Sequence, residues 1–321
     1  MDLKRFNAIR IPDPRIRLMK RVQPKPFDMD LRLRDFIRKS NPESSRVSLI
    51  EFPSDQGVFI NGGRQGSSKA PELIKAGLYN LTPHPAHYGE HTELLERVWE
   101  LDRVDCSEDL PADQELLAKK VAGELKRESM PVIIGGGHET SFGHFLGYAE
   151  AERDVTILNI DAHTDVRELK GSKAHSGSPF YQALKHSSGR CKAYHVFGLN
   201  PGSVSEEHYN FVNQNGSAHF LEETSLEKVL NCLNSIGHEV MVTMDMDAVS
   251  QSEAPGVSAP NSAGMSLELW LQLAFEFGRH PGVASFDLCE VNPLYDIDNQ
   301  TVRFAARTIW SFLLGVALRK G

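Results

Sequence analysis

Val155–Arg167 reads VTILNIDAHTDVR. Its first half, VTILNID (Val155–Asp161), is a short apolar run of the kind that forms a strand buried on both faces of a parallel sheet. Its second half spaces Asp161, His163 and Asp165 two apart, and in extended chain residues i, i+2 and i+4 share one face. A buried strand therefore ends in two acids and an imidazole that project together.

Similar runs lie on both sides of it. VSLIEF (Val47–Phe52), PVIIGGG (Pro131–Gly137), AYHVFGL (Ala193–Leu199), EVMVTMD (Glu239–Asp245) and GVASFDLCEV (Gly282–Val291) read as further strands. Helical spacing of apolar residues appears near Pro71–Asn80, over Gln114–Arg127, at Leu226–Ile236 and Leu267–Phe277, and over the closing Val302–Arg319. The segment after Phe52 reads as a loop rich in glycine and polar residues. Strands that alternate with helices predict an α/β fold of three αβα layers with a mainly parallel central sheet. No repeat, low-complexity tract or linker divides the chain. Residues 47–321 therefore read as a single domain, with residues 1–46 as an N-terminal extension packed on it. Asp28–Ser40 within that extension has an amphipathic helical pattern.

The other polar clusters also fall where strands end. His138 follows the 131–137 strand, Asp245 and Asp247 end the 239–245 strand, and Glu290 lies at the end of the 282–291 strand. In open α/β sheets ligands bind beyond the carboxyl ends of the strands. Four carboxylates and two imidazoles gathered on one edge require a compensating cation, and two divalent ions would supply it. Carboxylate oxygen suits Mg, Ca or Mn, and imidazole suits first-row ions, so His138, Asp161, His163, Asp165, Asp245 and Asp247 point to Mn2+ before zinc, nickel or cobalt. Two ions about 3.5–4 Å apart share a water and lower its pKa, which gives a hydrolytic nucleophile without a serine or cysteine.

Composition bounds the remaining possibilities. The chain has 321 residues, 40% hydrophobic and 24% charged, with a formal net charge of −8. That balance suits a soluble globular protein and disfavours a nucleic-acid partner; the locally basic Lys4–Arg38 segment reads as a solvated arm. No apolar run of transmembrane or signal-peptide length occurs, which predicts no membrane partner and a cytoplasmic location. Cys106, Cys191, Cys232 and Cys289 are far apart and form no CxxC pair, so reduced thiols are the expectation, with room for one disulfide.

GGGHE (Gly135–Glu139), NIDAHTDVR (Asn159–Arg167), MDMDAV (Met244–Val249) and SFDLCEVNP (Ser285–Pro293) resemble the four signature blocks of the ureohydrolases, the group that holds arginase, agmatinase and formimidoylglutamase. The resemblance covers roughly residues 47–318. It implies an arginase-like fold and two Mn2+ per chain. His138, Asp161, Asp165 and Asp245 would hold one ion and Asp161, His163, Asp245 and Asp247 the other, with Asp161 and Asp245 bridging. Glu290 would face the amidine or guanidinium group of a small-molecule substrate. Relatives of this kind assemble as trimers or hexamers, so a homo-oligomer is expected.

Within the group, three features resemble formimidoylglutamase. Arg167 stands where arginases carry asparagine. Ser176, followed by Gly177, stands where arginases and agmatinases carry a proton-shuttling histidine, and a hydroxyl does not titrate near neutrality. APGVSAP (Ala254–Pro260), Asp55–Val58 and Asn61–Arg64 look like formimidoylglutamase blocks. N-formimidoyl-L-glutamate carries two carboxylates, one of which Arg167 would bind bidentately, with Arg64 as a second candidate for the same role. The implied reaction is manganese-dependent hydrolysis to L-glutamate and formamide, a step of histidine degradation, through a metal-bridging hydroxide. Asp165 or a residual metal-bound proton would then serve the leaving amine. The alternatives are an agmatinase, guanidinobutyrase or arginase, a single-zinc deacetylase of related fold, and a metal-stabilised scaffold without activity.

Overall fold

Eight extended segments pair side by side because each leaves its backbone N–H and C=O groups to be satisfied by a neighbour. The computed structural model of the chain describes residues 30–38 and 45–319. Its strands are β1 (Val47–Phe52), β2 (Val98–Glu100), β3 (Met130–Gly135), β4 (Val155–Ile160), β5 (Cys191–Leu199), β6 (Gly216–Phe220), β7 (Glu239–Asp245) and β8 (Val283–Cys289). All pairings are parallel, in the order β2-β1-β3-β8-β7-β4-β5-β6. The helices are α1 (Gln56–Asn61), α2 (Ala70–Tyr79), α3 (Tyr88–Leu95), α4 (Leu110–Lys126), α5 (Thr140–Glu150), α6 (Pro179–Lys185), α7 (Glu206–Asn215), α8 (Leu226–Ser235), α9 (Leu267–Arg279) and α10 (Gln300–Ala317). Side-chain oxygens of Asp109, Ser205, Ser225 and Ser266 accept the first free N–H groups of α4, α7, α8 and α9.

Two apolar cores sandwich the sheet. One joins α2, α3, α8, α9 and α10 to Leu49, Val132, Ile134, Leu158, Val242 and Phe286; the other joins α4 to α7 to Ile50, Ile133, Ile157, Val196 and Met241. Period-two alternation sends neighbouring residues of a strand to opposite cores. The α9–α10 crossing is close because both helices carry glycine there. A Cβ on Gly278 would overlap the Phe312 carbonyl oxygen, and one on Gly315 would overlap that of Phe275.

Several expectations change. Among the described residues 30–38 there is no α-helix, only one 3-10 turn at Leu33–Asp35. The chain then extends, because the Arg38 N–H donates to the Val98 carbonyl and the Arg38 carbonyl accepts from the Glu100 N–H. Leu33 and Ile37 are buried in the first core. Residues 1–29 and 39–44 of the expected extension lie outside the described residues; Leu31–Gly321 forms one compact unit. The segment after Phe52 contains α1, and the two edge strands β2 and β6 were not expected. All four cysteines are free. No described helix is long and apolar enough to cross a membrane.

The chain runs from β3 directly to β4, and β7 and β8 later fill the gap between them. Four adjacent strands, β3, β8, β7 and β4, thereby bring His138, Glu290, Asp245 with Asp247, and Asp161 with His163 to one edge.

Candidate metal centre

The six expected ligands converge. One donor atom each from His138, Asp161, Asp165 and Asp245 lie within 4.8 Å of one another, and so do donors of Asp161, His163 and Asp247. His138 Nδ1 stands 3.2 Å from Asp161 Oδ2, 2.9 Å from Asp165 Oδ2 and 3.1 Å from Asp245 Oδ2. A ring nitrogen holds at most one proton, so it cannot satisfy three carboxylates at once. His163 Nδ1 lies 3.2 Å from Asp247 Oδ2 and 3.5 Å from Asp161 Oδ1. Asp161 thus presents one oxygen to each group. Asp245 belongs to the first group, and its Oδ1 accepts the Asp247 N–H at 2.8 Å. Asp247 Oδ1 is buried without a hydrogen-bond partner. Three buried acids and the half-buried Asp165 around two imidazoles, with one orphaned oxygen, form a donor set that fits a metal cofactor.

Electrostatics point the same way. Burial, then the Asp247 and Asp161 charges, push the Asp245 carboxyl well above the usual carboxylate range. Asp247 is raised by burial although His163 beside it pulls the other way. The Asp247 charge, opposed by burial, raises the His163 imidazole. These groups crowd more negative charge into a dry site than the two imidazoles offset.

Residues behind the ligands hold them in place. Thr243 lies two before Asp245 on β7 and so shares its face. Its hydroxyl donates to Asp287 Oδ1 at 2.6 Å and stands 2.9 Å from His138 Nε2. With its proton committed to Asp287, the Thr243 oxygen accepts from Nε2–H, which leaves the Nδ1 lone pair for a metal. Asp287 is buried and also accepts from Ser141 at 3.0 Å, and it contacts His144 Nδ1 at 2.6 Å. Asn159, two before Asp161 on β4, donates to Asp161 Oδ2 at 3.0 Å. The residue-level reading missed Thr243, Asp287 and Asn159. Their signal was present as polar residues alternating with apolar ones inside strands buried on both faces.

Glu290 follows β8 with a φ of 66°, and Asp165 has a φ of 47°. Left-handed backbone costs a non-glycine residue roughly 1–2 kcal/mol, and such strain clusters at functional sites. Glu290 is held there by two bonds to the GGGHE loop: its N–H donates to the Gly136 carbonyl at 2.7 Å, and its Oε1 accepts the His138 N–H at 2.7 Å. Its Oε2 is buried and unpartnered. Burial pushes the Glu290 carboxyl up to about 7. Gly136 permits this arrangement because a Cβ there would overlap the Ser54 carbonyl oxygen.

Three of the expected substrate contacts, Arg167, Ser176 and Gly177, form a rim that follows Asp165. The Arg167 N–H donates to the Gly177 carbonyl at 2.9 Å, and a Cβ on Gly177 would meet Arg167 Cδ at 3.2 Å. Ser176 is 8% exposed, and its hydroxyl accepts from Asn61 Nδ2 at 3.2 Å. His175 is turned away, with its Nε2 2.9 Å from the Glu168 carbonyl oxygen. Arg64 lies over the Tyr295 ring, 4.9 Å from its centroid, and its carbonyl accepts from Asn292 Nδ2. The Arg64 loop is thus joined to the segment that follows Glu290.

Comparison with known proteins fits this architecture. The family model described as "Arginase family" matches residues 45–315. The formimidoylglutamase of Geobacillus sp. (strain WCH70) is 34% identical over 86% of this chain and 85% of its own length. That of Chromobacterium violaceum is 31% identical over 83% and 86%. A crystal structure of Trypanosoma cruzi formiminoglutamase with Mn2+ superposes with a TM-score of 0.84 at 28% identity, covering 91% of this chain and 100% of that one. Likeness that spans nearly the whole length in sequence and in fold leaves one assignment: the chain belongs to the arginase family and is a hydrolase.

Proposed function

We propose that the protein hydrolyses N-formimidoyl-L-glutamate to L-glutamate and formamide, with two Mn2+ as cofactor. His138, Asp161, His163, Asp165, Asp245 and Asp247 would hold the ions, which supply a water of lowered pKa as nucleophile near neutral pH. Glu290, whose Oε2 is buried without a hydrogen-bond partner, would hold a cationic amidine by charge. Water adds to the formimidoyl carbon, the bond from that carbon to the glutamate nitrogen breaks, and the nitrogen takes up a proton. Asp165, at the inner end of the rim, is the candidate to carry that proton.

The observation that carries this reading is Arg167. It stands two residues from Asp165, packed on Gly177, and among the described residues it has no carboxylate partner. A guanidinium there favours a carboxylate-bearing substrate and repels a substrate such as agmatine that carries only cationic groups. Ser176 beside it offers a hydroxyl in place of a titrating imidazole. The matched relatives named formimidoylglutamase support the same choice.

The test is a panel of N-formimidoyl-L-glutamate, arginine, agmatine and 4-guanidinobutyrate on the Mn2+-loaded chain. Formamide release should exceed urea release from any guanidine by about a hundredfold or more in kcat/KM. Faster urea release on any member would overturn the choice. Metal analysis of the same sample separates a two-ion centre from a single-zinc deacetylase.

A further inference from the structure

Three residues at the rim meet on one amide. Asn61 ends α1, and its Oδ1 accepts from Arg167 Nη1 at 3.4 Å and from Lys170 Nζ at 3.1 Å. Lys170 also donates to the Asn61 carbonyl at 2.8 Å, and Asn61 Nδ2 donates to Ser176 Oγ. The two cationic groups therefore lie no farther apart than those two Oδ1 distances combined. Two like charges this close repel. A structural network would place an acid between them, yet here a neutral amide stands there. Among the described residues no carboxylate is in ion-pair range of Arg167 or Lys170.

The cations are also held near the metal centre. The Arg167 N–H donates to the Gly177 carbonyl, and the Asp165 backbone carbonyl accepts the Phe180 N–H, so the loop that carries Arg167 and Lys170 and the loop that carries Ser176 are tied together at the residue that carries a candidate ligand. A Cβ on Gly177 would meet Asn61 Nδ2 at 3.3 Å as well as Arg167, so glycine here gives Arg167 and Asn61 room to approach.

We propose that Arg167 and Lys170, held side by side by Asn61, form a two-cation clamp for a dicarboxylate, with Asn61 as its positioning residue. The inference rests on the reading of N-formimidoyl-L-glutamate as substrate and assigns that molecule's two carboxylates to these two cations. A substrate with a single carboxylate leaves one cation uncompensated, so the clamp selects dicarboxylates over the amidines of monocarboxylates.

The test pairs steady-state kinetics with calorimetric binding of L-glutamate to the metal-loaded full chain. Lys170→Met should raise KM for N-formimidoyl-L-glutamate and weaken L-glutamate about ten- to thirtyfold, with a much smaller change in kcat. Lys170→Arg should restore most of both. Asn61→Asp keeps the shape but sets an acid between the cations, and it should weaken L-glutamate in the same direction. Binding of 4-aminobutyrate, which lacks one carboxylate, should be weak in every form. If Lys170→Met leaves KM and L-glutamate affinity within about twofold of the parent, the clamp is refuted even where formamide is released. If the parent releases no formamide yet binds L-glutamate in a Lys170-dependent way, the clamp stands and the substrate reading falls.

Discussion

The two faces of strands β7 and β8 are built on opposite principles. Toward α9 and α10 they present Val240, Val242, Met244, Phe286 and Leu288, an apolar surface completed by the Phe286–Phe312 stack at 4.4 Å. Toward α5 they present Thr243, Ser285 and Asp287, which bond to Ser141, His144 and Tyr148. Both faces are equally dry. The apolar face contributes stability through burial, which is roughly proportional to area and tolerant of direction. The polar face contributes geometry, because each buried donor and acceptor must find a partner at a fixed angle. Asp245, the expected metal ligand at the end of β7, follows Thr243 on the polar face. The contrast assigns separate tasks to adjacent residues of one strand.

The largest effect should come from the ligand common to both donor groups. Asp161→Asn should lower kcat by about a thousandfold or more and reduce bound metal, since a metal centre supplies several kcal/mol of transition-state stabilisation. Metal content measured beside turnover checks it, and a fully metallated, fully active variant would refute the assignment of Asp161. Next in size is Phe286→Ala on the apolar face. It should cost about 3–5 kcal/mol of folding stability in denaturant titrations while the folded fraction keeps its metal affinity. Smallest is Asp287→Asn, one residue along and facing the other way. It should weaken metal binding about 10–100-fold through Thr243 and His138. Should Asp287→Asn lose only stability, and Phe286→Ala lose metal affinity, the division between the two faces would be wrong.

Much of this was legible in the residues. The run Val47–Phe52 and the run Glu239–Asp245 match β1 and β7 end to end, because a strand buried on both faces shows as a short, mostly apolar run. The edge strands were not legible. The three residues of β2 and the sequence GSAHF of β6 carry no apolar run, and only pairing with β1 and β5 makes them strands. The pattern over Asp28–Ser40 was legible but misleading. Leu33 and Ile37 do share a buried face, yet the backbone of Arg38 finds its partners on β2 rather than in a helix. At the site, acids and imidazoles spaced two apart at strand ends named the ligands. The polar residues behind them lay in the same strands and passed for packing.

By itself the sequence determined which residue types the strand ends carry, but not how they project. β4 ends at Ile160, Asp161–Asp165 follow it in bends with Asp165 at a φ of 47°, and Asp247 lies in a 3-10 turn, so the extended period-two spacing does not persist at the site. It also determined the layered α/β class, because alternating strand and helix patterns have few ways to bury their apolar surfaces. Only the tertiary structure decided that β7 and β8 insert between β3 and β4, since sheet order depends on pairings far apart in the chain. Only it showed that Asp161 spans both donor groups, that Asp287 reaches His138 through Thr243, and that Asn61 gathers Arg167 and Lys170. Each of those contacts joins residues that local spacing does not relate, and a hydrogen bond exists only where two such segments arrive within about 3 Å of each other.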